Sequence, residues 1–187
     1  RVIVFDPRRT ETAELADEHV FVRPGSDALI LAAMLQVLFA EDQIRLGHLA
    51  QVVTGLDALR EAVRDLTPER VAPATGVPAE TLRRIVRSYA QSQRAVLYGR
   101  LGVSTHHFGG LCNWLIDVIN IVSGHFDREG GAMFTSPAVN LVQLGTWLDQ
   151  KGHHDKFRSR VRGIPEFGGE LPAACMAEEI DTPGEKQ

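Results

Sequence analysis

Short runs of β-branched, aliphatic and aromatic residues alternate along the chain with longer segments in which apolar residues recur at helical spacing. A short apolar run bounded by turn-forming residues is typical of a strand that is covered on both faces. The pattern predicts strands at residues 2–5, 19–22 and 95–98. It predicts helices at residues 28–40, 57–66, 78–93 and 111–122, and a short helix near residues 173–179.

Strands that alternate with helices favour parallel pairing, because each helix returns the chain to the starting edge of the sheet. The sequence therefore predicts an α/β fold of three layers, in which a mostly parallel sheet is flanked by helices in a Rossmann-like arrangement. We expect residues 1–134 to form a partial domain of this kind. Residues 135–187 have little periodicity and many glycine, proline and charged residues, so we expect an irregular, loop-rich linker there.

Two of the predicted helices, at residues 28–40 and 111–122, are apolar around nearly their whole circumference. Such helices need neighbours on several sides, and a sheet of three strands offers too little cover. We therefore expect the chain to be part of a larger multidomain protein. The second helix carries a polar stripe of Asn113, Asp117 and Asn120. We expect this stripe to pack on a polar neighbour rather than to perform chemistry.

The composition narrows the class of protein without identifying it. Of the 187 residues, 44% are hydrophobic, and the formal net charge of −4 gives no basic excess of the kind that binds nucleic acid. The longest apolar run, residues 28–35, is far shorter than the ~20 residues that cross a bilayer. Cys112 and Cys175 belong to no Cys-x-x-Cys motif, which favours a reducing, cytoplasmic location and argues against an iron–sulfur or zinc site in this chain. The adjacent His106 and His107 are interpreted as loop residues, since chain neighbours rarely face one ligand together.

The predicted strands end on polar, turn-forming sequence. Asp-Pro-Arg at residues 6–8 follows the first strand, and Gly-Ser-Asp at residues 25–27 follows the second. Ligands of doubly wound sheets bind outside the carboxyl ends of the strands. An acid there can accept hydrogen bonds from a ribose or a guanine edge, and an arginine can bind phosphate. Two alternatives stay open, because Asp6 with Pro7 also starts an ordinary turn and Asp27 also suits the N-cap of the helix that follows.

A family resemblance is carried by the string "VIVFDPRRTETAELADEHVFVRPGSDALILAAML", which is similar to the segment DPR-x-T-x-T-A…A-D…R-P-G-[TS]-D of the molybdopterin oxidoreductases. These are the large subunits of the dimethyl sulfoxide reductase family, which includes formate dehydrogenases and nitrate reductases. The next two blocks of the same subunits resemble "TGVPAETLRRIVRSYAQSQRAVLYGRLGVSTHHFGG" and "VINIVSGHFDREGGAMF", in the same order. The resemblance covers residues 2–134, and the tail "RSRVRGIPEFGGELPAACMAEEIDTPG" resembles the family's following linker more loosely.

The resemblance implies a cofactor, a site and partners. Members of the family hold molybdenum or tungsten with two molybdopterin guanine dinucleotides, and they oxidise or reduce a small molecule by two electrons. By this resemblance residues 1–134 are part of a molybdopterin guanine dinucleotide-binding domain. The expected partners are the remaining domains of the same large subunit and an electron-transfer subunit, with neither nucleic acid nor membrane insertion. The residues that match the family's contacts to one guanosine end are Asp6, Pro7, Arg8, Gly25, Ser26 and Asp27, and those that match contacts further along the cofactor are Leu101, Gly102 and Thr105.

The same resemblance implies that the catalytic parts lie elsewhere. No cysteine, selenocysteine or serine of this chain matches the family's metal-ligand motif, and the family's N-terminal iron–sulfur cysteines have no match either. We therefore expect an iron–sulfur cluster in a preceding part of the parent protein. The chain alone is expected to be inactive, with no catalytic residue, no metal ligand and no bound cofactor. Two positions depart from the family: Thr105 stands where many members have glutamine, and residues 123–125 are Ser-Gly-His instead of Thr-Gly-Asn.

Two other interpretations fit the strand ends. One is the cofactor-binding central domain of a thiamine-diphosphate-type enzyme, whose strands also end on glycine-rich turns. The other is a structural α/β domain in which the acids only form turns. Sequence beyond both ends distinguishes them, since the first interpretation predicts a Cys-x-x-Cys-x-x-x-Cys block upstream and the thiamine alternative predicts a Gly-Asp-Gly motif downstream.

Overall fold

The computed structural model describes residues 1–134, 136–148 and 154–184. The chain divides into two compact units, Arg1–Phe134 and Thr135–Gln187. The first unit is α/β, with many helices and one small parallel sheet. None of the helices in the described residues has the length and apolar character that a membrane crossing requires.

Two short strands form the parallel sheet of the first unit. Phe5 of the first strand lies opposite Val20 of the second. Thr10 is the N-cap of the connecting helix, and its side-chain oxygen accepts a hydrogen bond from the Ala13 N–H at 3.3 Å. The first two predicted strands are therefore present, and their carboxyl ends lie side by side. The elements are β1 (Ile3–Phe5), α1 (Glu11–Leu15) and β2 (Glu18–Val20).

Helices packed around one buried helix make up most of the first unit. They are α2 (Asp27–Ala40), α3 (Leu56–Val63), α4 (Pro68–Thr75), α5 (Ala79–Gln91), α6 (Leu101–Ser104) and α7 (Gly109–Val122). The central helix is α2, which contacts α3, α4, α5 and α7. Its side chains Leu35, Val37 and Leu38 have no exposed surface. The cover that an all-apolar α2 needs is thus supplied by helices of the same unit, whereas α7 leaves Leu111 and Trp114 exposed.

The strand predicted at residues 95–98 is wrong, because no strand of the described residues includes this segment. Its backbone bonds to a side chain instead of to a neighbouring strand. The Leu97 N–H donates to Asn120 Oδ1 at 3.0 Å, and Asn120 Nδ2 donates to the Leu97 carbonyl at 2.9 Å. The carboxamide of Asn120, on α7, therefore takes the place of a strand's peptide group. The described sheet has two strands, so the three-layer, Rossmann-like sheet is not confirmed.

A buried polar cluster surrounds this carboxamide. The Tyr89 hydroxyl donates to Asn120 Oδ1 at 2.9 Å, and Ser123 Oγ, which donates to the Ile119 carbonyl at 2.6 Å, lies 3.2 Å from the Tyr89 hydroxyl oxygen. His125 Nε2 lies 3.1 Å from the Tyr89 carbonyl, so this nitrogen carries the ring proton. Burial raises the pKa of Tyr89 to about 12 and lowers the pKa of His125. The polar stripe packs as expected at Asn120, while Asn113 and Asp117 lie at the exposed surface.

Arginines of α5 pair with acids from three other segments. Hydrogen bonds from these arginines lower the pKa of each carboxyl, that of Glu69 to about 2. Solvent screening weakens pairs of this kind at a protein surface, so they orient α5 more than they stabilise the fold. The pairs are Arg83 with Glu69, Arg84 with Glu18, and Arg87 with Glu41.

The second unit contains an antiparallel hairpin that the sequence pattern did not predict. Its carboxylate Glu166 is fully buried and accepts hydrogen bonds from the Lys156 N–H at 2.9 Å and the Gly169 N–H at 2.8 Å. A short helix follows near the predicted position. The elements of this unit are α8 (Leu141–Trp147), β3 (His154–Arg158), β4 (Pro165–Phe167) and α9 (Met176–Asp181).

We expect Asn120→Leu to lower the free energy of unfolding by about 2–4 kcal/mol, because it leaves the Leu97 backbone groups without partners. Asp117→Leu is the matched control, since it makes the same substitution type at an exposed position of the same helix. It should change stability by less than about 0.5 kcal/mol. Urea unfolding of both variants measures the difference. Equal stabilities would contradict the role given to the Asn120 carboxamide.

We expect the free energy of unfolding to fall as the pH drops below about 6.5, the ordinary pKa of histidine. Burial lowers the pKa of His125 in the folded protein, so the unfolded chain binds this proton more readily. The contribution is complete above the unfolded pKa and is lost as the pH falls toward the lowered folded pKa. Carboxyls with lowered pKa, such as Glu18 and Glu41, lose their contributions in a separate range below 4.5.

Urea unfolding at pH 5 and pH 7 measures this dependence. His125→Gln retains a donor for the Tyr89 carbonyl but cannot titrate, so it should flatten the stability profile between these pH values. His107→Gln removes an exposed histidine and should leave the profile as it is. A profile that keeps its slope in His125→Gln would assign the dependence to another group.

Candidate functional site

The first polar loop follows β1. The Asp6 N–H donates to the Val20 carbonyl at 3.2 Å, and His19 Nε2 lies 3.0 Å from the Asp6 carbonyl. Asp6 Oδ1 accepts a hydrogen bond from the Arg8 N–H at 2.7 Å, so the turn that begins at Asp6 and Pro7 is present. This leaves Asp6 Oδ2 and the Arg8 guanidinium without a hydrogen-bond partner among the described residues. Turn formation therefore uses only part of the polar capacity of this loop.

The second loop precedes α2. Gly25 has a φ of 77°, which favours glycine, and no atom lies within 4 Å of the position that a Cβ would take. Ser26 is buried, and its hydroxyl donates to the Arg23 carbonyl at 2.6 Å. Ser26 is also the residue at the N-cap position, and Asp27 is the first residue of the helix. The alternative that Asp27 is the N-cap is therefore wrong, and its carboxylate is not used for capping.

The third loop is the short helix α6 and the residues after it. The side chain of Leu101 is exposed, the site of a Cβ on Gly102 has no atom within 4 Å, and the Thr105 N–H donates to the Leu101 carbonyl at 3.1 Å. The loop packs closely on the start of α7. A Cβ on Gly109 would lie 2.1 Å from the Ser104 carbonyl oxygen, so only glycine permits this approach.

His106 connects the second and third loops. Its Nε2 lies 3.6 Å from Asp27 Oδ2, and its Nδ1 accepts a hydrogen bond from the Phe108 N–H at 3.2 Å. The structure thus places Asp27 next to the segment that contains Thr105. No hydrogen bond or ion pair within residues 1–134 joins Asp6 to Asp27. The sequence pattern indicated only a loop residue at His106, although this residue directly follows Thr105.

The three loops differ in what they can bind. Asp27 and Asp6 offer carboxylate acceptors, the Arg8 guanidinium is an exposed cation, and Gly25 lets a ligand approach the backbone. These groups fit the ribose, base and phosphate parts of a nucleotide. In the part of the chain that the structure describes, no group of three or more His, Cys, Asp or Glu side chains could hold a metal ion.

An apolar groove of about 930 Å³ lies between α2, α3 and α7. Gly25 and Phe108 stand among its lining residues, next to the second and third loops. Trp114 and Leu111 are about half exposed on its wall. The groove therefore leaves apolar side chains of this unit in contact with solvent. Further apolar lining comes from Leu29, Leu59, Leu66, Leu115, Val118 and Ile121.

The first unit is an α/β domain with polar loops at the carboxyl ends of its strands. Several known proteins are similar to this chain in sequence or in structure. Formate dehydrogenase H of Escherichia coli is 36% identical over 109 residues, which are 58% of this chain and 15% of that enzyme. The molybdopterin-containing subunit of thiosulfate reductase from Salmonella typhimurium is 30% identical over 137 residues, which are 70% of this chain and 17% of that subunit. Acetylene hydratase from Pelobacter acetylenicus has a similar structure, with a TM-score of 0.64 at 25% identity over 68% of this chain and 18% of that one.

The resemblance predicted from the sequence is confirmed. The curated relatives are molybdopterin oxidoreductases of the dimethyl sulfoxide reductase family, and they match part of this chain. No protein-family model matches the chain. The chain spans only 15% and 17% of the length of the two relatives described above.

We expect the apolar groove to bind 8-anilinonaphthalene-sulfonate and to promote self-association of the purified chain. Leu111→Glu places a charge on the groove wall and should reduce both effects. Leu15→Glu is the matched control, since Leu15 is 89% exposed and does not line the groove. Dye fluorescence and light scattering report the two effects. A monomer that does not bind the dye at high concentration would contradict this expectation.

Proposed function

We propose that this chain is part of a molybdenum or tungsten oxidoreductase and forms the wall that binds one guanosine end of a molybdopterin guanine dinucleotide. When bound, this cofactor supplies the two-electron chemistry on a small-molecule substrate. The observation that carries the proposal is the contact between the second and third loops. Asp27 is not used as a cap and lies beside the loop that contains Thr105. The similarity to molybdopterin oxidoreductases supports the same assignment.

Charge decides which part of the nucleotide each loop binds. A carboxylate accepts hydrogen bonds and repels phosphate, so Asp27 and Asp6 suit the base or the ribose. The Watson–Crick edge of guanine offers two adjacent N–H donors, and a carboxylate offers two acceptors at matching spacing. The exposed guanidinium of Arg8 suits a phosphate, to which arginine can donate two parallel hydrogen bonds.

The remaining site residues shape the wall. Pro7 and Gly25 fix the turns that precede the binding groups, and Ser26 holds its loop through its bond to the Arg23 carbonyl. Leu101, Gly102 and Thr105 would line the cofactor further along. The Thr105 side chain is shorter than the glutamine found in many family members. A water molecule would therefore bridge its hydroxyl to the cofactor.

Under this proposal, other parts of the same protein and a second subunit complete the enzyme. Other segments of the same large subunit would complete the Rossmann-like sheet and supply the metal ligand, the second nucleotide and an iron–sulfur cluster. An electron-transfer subunit would be the redox partner. The cytoplasmic location stays a prediction. This assignment is favoured over a thiamine-diphosphate-type domain or a purely structural domain because the curated relatives are molybdopterin enzymes.

We expect Asp27→Asn and Asp6→Asn, each made in the complete enzyme that contains this chain, to lose cofactor. Each change keeps the shape and removes the charge, and Asp6→Asn retains the Oδ1 acceptor of its turn. Losing one charge-assisted hydrogen bond weakens binding by roughly 1.5–3 kcal/mol. Molybdenum by elemental analysis and guanine nucleotide released by acid measure the occupancy.

Asp57→Asn is the matched control for this experiment. Asp57 also lies in the first turn of a helix, α3, and it is exposed. It should retain full cofactor. Thermal unfolding of the apo forms corrects for stability. Full molybdenum and guanine nucleotide in both Asp27→Asn and Asp6→Asn would overturn the proposed site.

A further inference from the structure

We propose that His106 is a positioning residue that orients the Asp27 carboxylate toward the guanosine of the cofactor. This inference rests on the proposed function and adds a residue to it. The side chains of His106 and Asp27 are both largely shielded, with 19% and 25% of their surfaces exposed. They belong to segments far apart in the sequence, so their contact holds the second and third loops together.

The hydrogen bonding of the ring determines where its proton lies. The Phe108 N–H donates to Nδ1 at 3.2 Å, so Nδ1 presents a lone pair. A neutral imidazole has one donor and one acceptor nitrogen, so the proton is on Nε2. That nitrogen faces Asp27 Oδ2 at 3.6 Å. The backbone of residue 108 thus fixes the tautomer that points a donor at the carboxylate.

The distance between the two groups suits a positioning role. At 3.6 Å the contact is longer than a hydrogen bond, so His106 attracts Oδ2 without occupying its lone pairs. Both carboxylate oxygens stay available for two donors of a ligand. Because the groups are shielded from water, the attraction is stronger than it would be at an open surface.

Cys112 Sγ also lies 3.6 Å from His106 Nε2, within hydrogen-bonding distance for sulfur, so the Nε2 proton is shared between this sulfur and Asp27. The sulfur belongs to α7 and is fully buried. Burial and then the charge of Asp27 raise the pKa of the Cys112 thiol, so it stays protonated. A buried neutral thiol is a poor nucleophile. The three side chains therefore form a positioning contact and not a nucleophilic triad.

Two conservative variants distinguish a His106 that positions the Asp27 carboxylate from a His106 that only stabilises its own loop. In His106→Gln, the side-chain amide can place a donor near the former Nε2, toward Asp27, but it loses the acceptor for Phe108. In His106→Asn, the amide can accept from the Phe108 N–H but cannot reach Asp27. If His106 positions Asp27, His106→Gln retains the cofactor and His106→Asn loses it. If His106 only stabilises the loop, the order is reversed.

The experiment is done in the complete enzyme, with guanine nucleotide release as the readout. We expect His106→Ala and His106→Asn to release nucleotide about tenfold faster, the effect of losing one neutral interaction. His106→Gln and the exposed control His107→Ala should be close to wild type. In an Asp27→Asn background, His106→Ala should add no further loss, because its effect acts through Asp27. Nitrogen-15 NMR of labelled histidine reports the tautomer.

The outcomes separate this inference from the proposed function. Full cofactor retention in both Asp27→Asn and Asp6→Asn overturns the proposed function. Retention in Asp27→Asn with loss in Asp6→Asn overturns the positioning role alone, because Asp27 would then not contribute to cofactor binding. If Asp27→Asn loses the cofactor, two results overturn the positioning role alone. One is a wild-type rate of nucleotide release in His106→Ala. The other is retention of the cofactor in His106→Asn but not in His106→Gln. A ring proton on Nδ1 also overturns it, even in enzyme without cofactor. Additive losses in the double variant would show that His106 acts independently of Asp27.

Discussion

The burial of helix α2 is the interaction on which the rest of the first unit depends. Leu35, Val37 and Leu38 have no exposed surface, and burying one such side chain stabilises a fold by about 1.5–3 kcal/mol. Since α3, α4, α5 and α7 all contact this helix, its position sets theirs. Asp27 is its first residue, so the same apolar packing places a carboxylate at the candidate site. The position of a polar side chain is thus set by the packing of an almost wholly apolar helix.

The other two loops depend on separate supports. The loop at Asp6 is held by the parallel pairing of β1 with β2 and by its own turn to Arg8. The third loop is preceded by a segment bound to the Asn120 carboxamide and followed by the close approach of Gly109. Because interactions far apart in a structure contribute nearly independently, weakening one support should displace one part of the site. The contact of His106 with Asp27 joins the second loop to the third.

The sequence pattern predicted the helices and strands whose apolar residues recur at a regular spacing. It missed the features that depend on contacts between residues far apart in the chain. Helical spacing and short apolar runs located α2, α5, α7 and both strands of the sheet, because burial imposes those periods directly. The same apolar composition suggested a strand at residues 95–98. Composition indicates that a segment is apolar, but not whether its backbone bonds to a neighbouring strand or to a side chain on a helix. The hairpin of the second unit was missed because β3 is charged and its support, a buried glutamate, looks like a surface residue in the sequence.

The candidate site was recognised by family resemblance more than by physical pattern. Asp27 lies one residue inside the helix for which it was an alternative N-cap, and such a shift depends on backbone angles that composition does not determine. His106 could not be assigned from sequence, because its role depends on Asp27 and on the Phe108 backbone together. A histidine in a polar loop gives no such information.

The apolar groove and the polar site share a border, and this affects the electrostatics of the site. Gly25 and Phe108 line the groove, and each is close in sequence to one member of the Asp27–His106 contact. Protein that covered the groove would exclude water from one side of that contact. Electrostatic interactions strengthen as the local dielectric falls, so the cover would tighten the hold of His106 on Asp27. Under the proposed function, the affinity of the polar loops for a nucleotide would therefore depend on the burial of this apolar surface.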